Sequence, residues 1–153
     1  GGSKKNKLIA ITILKKIGKN VFDTGSLGTA HAMKALNNYV SACGLVAACE
    51  AVIVGKKFGI NDQTIIEVLN TSTGKNNSTE TKMKQFVLSE KFSSGFNMSL
   101  MSKDLLTAKY LSKELNINAK GIKNASNLWK KASKVKKFIN ADHTEIFKYL
   151  LKS

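Results

Sequence analysis

The residues whose types and spacing could do chemistry lie in one stretch, Gly25-Ser26-Leu27-Gly28-Thr29-Ala30-His31-Ala32-Met33-Lys34-Ala35-Leu36-Asn37-Asn38. Its glycines lead into a helix start, where unpaired backbone N–H groups favour an anionic ligand. Lys34 sits one turn further in, and Asn38, four residues on, shares its face, as does His31 three residues before it. A lysine at the edge of an otherwise apolar helix is expected to be partly desolvated. Desolvation lowers an amine's pKa toward the range in which it both donates and accepts protons near neutral pH. Asn38 would then orient either the ammonium or a substrate hydroxyl. The plainer alternative is a lysine that lays its stem along the helix and its ammonium in water. His31 reads as a polar residue satisfied near a helix start and is assigned no catalytic role.

The elements that must position these groups read as helices. The chain has no proline, and glycine is sparse inside its long apolar segments. A first helix is expected from about Lys5 to Ile17, with Leu8, Ile11 and Leu14 on one stripe and Gly18 ending it. The central helix is expected from about Thr29 to Phe58 with Gly59 as its stop, on the order of 45 Å long at ~1.5 Å per residue. From Ala35 to Cys49 no residue is charged, so this helix should be buried all round, by its own domain, a partner subunit, or both. Asn37, Asn38, Glu50 and the lysines that follow argue against the competing reading, a membrane span.

Asn61 or Asp62 can cap a short helix through about Leu69, and Asn70 to Ser78 forms a loop before a helix ending near Ser89. After a connection at Phe92 to Gly95, Met98 to Leu115 shows apolar residues at 98, 101, 105, 108, 111 and 115, a helical stripe. A lysine-rich helix follows over about Lys120 to Phe138, with Ile122, Ala125, Leu128 or Trp129, and Val135 inward. Asp142 and Glu145 have capping-box spacing for a last helix through Leu151. The fold class is therefore all-α, with six or seven helices around one long central helix.

At 153 residues the chain is one domain of ordinary size, and with 42% hydrophobic and 23% charged residues its composition is globular. The net charge of +15 raises an acidic partner as a possibility. Every basic residue is lysine, however, and the absence of arginine's planar fork argues against sequence-specific nucleic-acid reading. Cys43 and Cys49 lie six apart on one helix, where they cannot reach each other, and no cysteine or histidine cluster has metal spacing. A reducing, cytoplasmic setting and no metal follow as expectations. The apolar run Leu8 to Leu14 is too short to span a bilayer.

Gly25, Gly28, Lys34, Asn37 and Asn38 resemble the catalytic motif of the 3-hydroxyisobutyrate dehydrogenase (β-hydroxyacid dehydrogenase) family, Gly-x-x-Gly-x-Gly-x-x-x-Lys-x-x-Asn-Asn. Ala30 replaces the third glycine, and His31 stands where glutamine is common. The resemblance continues through Glu50-Ala51, Lys57-Phe58-Gly59, the Ser72-Thr73-Gly74-Lys75-Asn76 loop, Phe96, Leu100-Met101-Ser102-Lys103-Asp104-Leu105 and Asp142-His143-Thr144.

It implies a fold like that of the 6-phosphogluconate dehydrogenase C-terminal domain and an oxidoreductase using NAD or NADP on a 3-hydroxy acid such as 3-hydroxyisobutyrate. In that picture Lys34 is the general acid/base, Asn38 holds the substrate, Lys103 and Phe96 meet the cofactor, and Asp104 lines the substrate or braces that contact. Residues 1–153 would be the C-terminal helical substrate and dimerisation domain. The Rossmann domain would be missing, the chain alone inactive, and the partner a second copy in a homodimer or larger homo-oligomer. Two other readings stand beside it: a lysine-rich helical module binding polyanions or nucleic acid, and a pure oligomerisation module.

Overall fold

The computed structural model describes residues 1–152. Its helices are α1 (Lys4–Ile17), α2 (Thr29–Phe58), α3 (Asp62–Thr71), a π-helix (Ser78–Val87), α4 (Met98–Glu114), α5 (Lys120–Lys134) and α6 (Ile146–Leu150). Two 3-10 turns, Lys136–Phe138 and His143–Glu145, precede α6. No strand occurs among the described residues.

Two glycines set the length of α2. Gly28 precedes it with φ of 90°, and Gly59 closes it with φ of 100°, its N–H bonded to the Gly55 and Lys56 carbonyls. Both are left-handed conformations that a side chain resists. One face of α2, carrying Ala42, Leu45, Ala48, Cys49 and Val52, forms the centre of the core. Around it pack Ile66 of α3, Met83 and Val87 of the π-helix, Met98 and Leu105 of α4, Trp129 of α5 and Ile146 of α6. The small residues of α2 permit close approach. A Cβ added at Gly44 would stand 3.1 Å from Asn76 Oδ1, the atom that accepts from Ser78 N and Thr79 N where the π-helix begins.

Several expectations are corrected. Helix α1 has no buried residue, and Leu8, Ile11 and Leu14 face solvent. Hydrogen bonds tie this end down: Lys7 Nζ donates to Asp23, and Gly2 N to the Gly25 carbonyl. Helix α2 is buried on one face by the described residues and exposed at Met33, Val40 and Val54, so its own domain does not by itself bury it all round. The α4 stripe is buried at 98, 101, 105 and 108 but ends there. Leu115 is 60% exposed, and Asn116, at φ of 55°, turns the chain away. Helix α5 stops at Lys134, leaving Val135 exposed and Phe138 buried in a 3-10 turn. Asp142 does cap the last segment, through Thr144 N, while Glu145 pairs with Lys148.

Asp142 also clasps the chain's two late segments together. Its carboxylate accepts from Ser94 Oγ, Gly95 N, Phe96 N, Thr144 N and Thr144 Oγ1, and the backbone bonds Met98 N to Ala141 O and His143 N to Phe96 O flank it. Burial pushes this carboxyl up, but the hydrogen bonds from Thr144 and Ser94 outweigh it and hold it below its ordinary value. Burial, and then the Lys82 charge, lower His143 below the ordinary imidazole value of 6.5.

Both groups therefore bind protons more weakly folded than unfolded. The stability they supply is complete above about pH 6.5 and is lost as pH falls, first as His143 must charge and then as Asp142 protonates. Urea unfolding should accordingly show a midpoint that drops between pH 7 and pH 5. Asp142→Ala should cost about 3 kcal/mol at pH 7, several charge-assisted bonds being lost at once. A loss below about 1 kcal/mol would remove the clasp from this account.

Candidate active site

The packing of α2 on α4 brings the predicted residues together. Lys34 and Asn38 lie one turn apart on α2, and Asp104 lies on α4 beside Leu105 and one turn from Met101, both buried. Asp104 Oδ2 accepts from Asn38 Nδ2 at 2.6 Å and from Lys34 Nζ at 3.3 Å. Asn37 Nδ2 donates to Asn38 Oδ1 at 3.4 Å, and among the described residues Asp104 takes only one of the two N–H groups of the Asn38 amide. One carboxylate thus gathers an amine and a carboxamide.

One expectation changes at this point. The Lys34 side chain is 61% exposed, so the described residues leave its ammonium in water. Asp104 is only 14% exposed, and its cationic partner is Lys34, across the helix pair. Lys103 itself is exposed on α4, and His31 is exposed on α2. Phe96 is half-buried with its ring edge-on to His143 at 5.6 Å.

A cavity of about 250 Å³ opens beside Asn38, lined by Ser41, Lys82, Ser94, Phe96 and His143 among others. Lys82 Nζ donates to Ser41 Oγ at 2.9 Å. His143 is buried, stacked on Trp129, with Nδ1 among Ser94 Oγ and the Phe96 carbonyl and no partner at Nε2. A larger groove, about 560 Å³, runs between α1 and Val21–Asp23, and there Lys7 pairs with Asp23. No group of three or more His, Cys, Asp or Glu able to hold a metal exists among the described residues.

Sequence reasoning did not single out Lys82 and Ser41. Lys82 sits on the π-helix, whose i→i+5 bonding is invisible to a search for 3.6-residue periodicity. Ser41 had a signal: it stands three residues after Asn38, on the same face of α2.

Comparisons with known proteins identify the family. A family described as "NAD-binding of NADP-dependent 3-hydroxyisobutyrate dehydrogenase" matches residues 28–150. A 2-(hydroxymethyl)glutarate dehydrogenase of Eubacterium barkeri is 35% identical over 105 residues, which cover 69% of this chain and 35% of that protein. A probable mitochondrial 3-hydroxyisobutyrate dehydrogenase of Arabidopsis thaliana is 32% identical over 137 residues, 86% of this chain and 40% of the other. The chain therefore spans about a third to two fifths of the length of these curated relatives. Among solved structures, a Mycobacterium tuberculosis 3-hydroxyisobutyrate dehydrogenase with L-serine superposes with a TM-score of 0.86 at 23% identity. That match covers 98% of this chain and 53% of that one, and it shows a shared fold. The match runs from the glycine that opens α2 to the last helix, and through it the chain belongs to the 3-hydroxyisobutyrate dehydrogenase family.

Proposed function

We propose that this chain is the helical part of an NAD- or NADP-dependent oxidoreductase acting on a 3-hydroxy acid such as 3-hydroxyisobutyrate, with Lys34 as its general acid/base. The observation that carries this reading is the convergence of Lys34 and Asn38 on Asp104. A nicotinamide, when bound, supplies the acceptor for the hydride that leaves the hydroxyl-bearing carbon. The residues present suit such a group: Lys103 offers an exposed ammonium to its phosphates or ribose hydroxyls, and Phe96 an apolar ring at the cavity wall.

Lys34, as the neutral amine, takes the proton from the substrate hydroxyl at Nζ and returns it in the reverse direction. The neighbouring Asp104 carboxylate accepts from that nitrogen and fixes its position. Asn38 uses one amide N–H on Asp104 and has the other for the substrate oxygen. Covering the exposed face of Lys34 with substrate and cofactor would supply the desolvation that this chain alone does not. We assign the main cofactor contacts to a Rossmann domain outside these residues, in keeping with relatives about twice as long, and expect the chain by itself to be inactive.

The partner is a second copy of the chain. Met33, Val40, Ala47 and Val54 recur every seven residues on α2 and are all exposed, a seam of the kind that pairs helices. Cys43 and Cys49 are free thiols, and burial pushes Cys49 up to about 12, which keeps it inert in the reducing, cytoplasmic setting proposed here. Binding of polyanions finds no support at the site, where the Lys34 charge is committed to Asp104.

In the intact protein, Lys34→Met should lower kcat/KM for the 3-hydroxy acid on the order of 10³-fold with an unchanged unfolding midpoint. Activity within tenfold of the original would exclude Lys34 as the acid/base. Sedimentation should show a dimer at micromolar concentration that Val40→Glu with Val54→Glu converts to monomer. A monomeric parent protein would dismiss the seam.

A further inference from the structure

The π-helix has a consequence for the cavity beside Asn38. In an α-helix, at ~3.6 residues per turn, Phe86 would stand two and a half turns from Asn77 and face the opposite way. The i→i+5 register instead aligns residues four and five apart. Asn77, Thr81, Lys82 and Phe86 consequently all line the one cavity. Asn76 starts this geometry by accepting from Ser78 N at 2.8 Å, and Thr79 Oγ1 by accepting from Asn76 N at 2.9 Å. Such helices are rare and recur at functional sites.

What the register delivers to the cavity wall is an ammonium without a counter-ion. Lys82 is half-buried, and its recorded hydrogen bond goes to Ser41 Oγ. No carboxylate lies within 4.0 Å of it among the described residues. Asp142 acts on it at longer range, but both oxygens of that carboxylate are taken by Ser94, Gly95, Phe96 and Thr144. Burial accordingly pushes the Lys82 amine below its ordinary value. A half-buried charge left unpaired costs free energy that an anion in the cavity would recover. Lys34 differs, since Asp104 already serves it. Ser41 stands three residues beyond Asn38 on α2, so the two anchor points are about 5–6 Å apart between their Cβ atoms.

We propose that Lys82, backed by Ser41, forms an anion subsite that selects 3-hydroxy acids carrying a second carboxylate on the arm that leads away from the reacting hydroxyl. This deepens the reading of Lys34 and Asn38 as the reacting end and rests on it. A substrate held at that end extends one helical turn toward Lys82, where its second carboxylate accepts the two N–H groups that Ser41 leaves free.

The test pairs two acids that differ by that carboxylate, 2-(hydroxymethyl)succinate and 3-hydroxyisobutyrate, in the intact protein. The ratio of their kcat/KM values should favour the diacid. It should fall on the order of tenfold or more in Lys82→Met and be kept in Lys82→Arg. A ratio that stays within twofold in Lys82→Met, or a loss shared equally by both acids, overturns the subsite. Binding gives a readout free of turnover: succinate, and not butyrate, should shift the NMR signals of Lys82 and Ser41, at least tenfold more weakly in Lys82→Met. Succinate shifts confined to other residues also overturn it. Absence of turnover with either acid, with the succinate shifts at Lys82 intact, would instead overturn the acid/base reading and leave the anion subsite standing.

Discussion

One carboxylate holds the site together. Asp104, on α4, accepts from Asn38 and Lys34, which precede it by 66 and 70 residues on α2. Everything else in the fold serves the contact between those two helices. Small residues on α2 let α4 come close, and Met101 and Leu105 seat Asp104 at the edge of the core. The bond is a device of position more than of stability. With Lys34 61% exposed, its ion pair is worth at most about 1 kcal/mol, whereas the shorter Asn38 bond, partly sheltered from water, fixes the carboxylate's direction.

A second carboxylate, Asp142, does the opposite work. It accepts from five donors on both late segments and offers nothing to solvent chemistry. By holding Ser94 and Phe96 it fixes part of the wall of the cavity that Lys82 and His143 also line. Surface left unfinished elsewhere is apolar: Leu8, Ile9, Ile13 and Ile17 on α1, and the seven-residue seam on α2. Exposed apolar area on that scale marks contact with other protein.

Much of this was legible in the residues. The limits of α2 could be read to the residue because left-handed glycines stand at both ends. The α4 stripe was legible up to Ala108, and Lys34 with Asn38 followed from one-turn spacing. What escaped depends on the third dimension. An uncharged helix does not say which of its faces its own chain will cover, so the exposed face of α2 could not be told from the buried one in advance. The exposure of α1 escaped for the same reason. The pairing of Asp104 with Lys34 joins residues 70 apart in the sequence, which no local spacing reveals. The π-helix keeps the composition of an ordinary helix and changes only its hydrogen-bond register, so Lys82 could not be placed in the cavity beforehand.

The central claim is that Asp104 acts through Asn38 and Lys34 as one unit. A double-mutant cycle on kcat/KM in the intact protein, comparing Asn38→Ala, Asp104→Ala and the two combined, tests it most directly. The account predicts strong non-additivity, the combined variant being no slower than the worse single one by more than about threefold. Losses that multiply independently would show that the two groups do not work together, and would contradict the site described here.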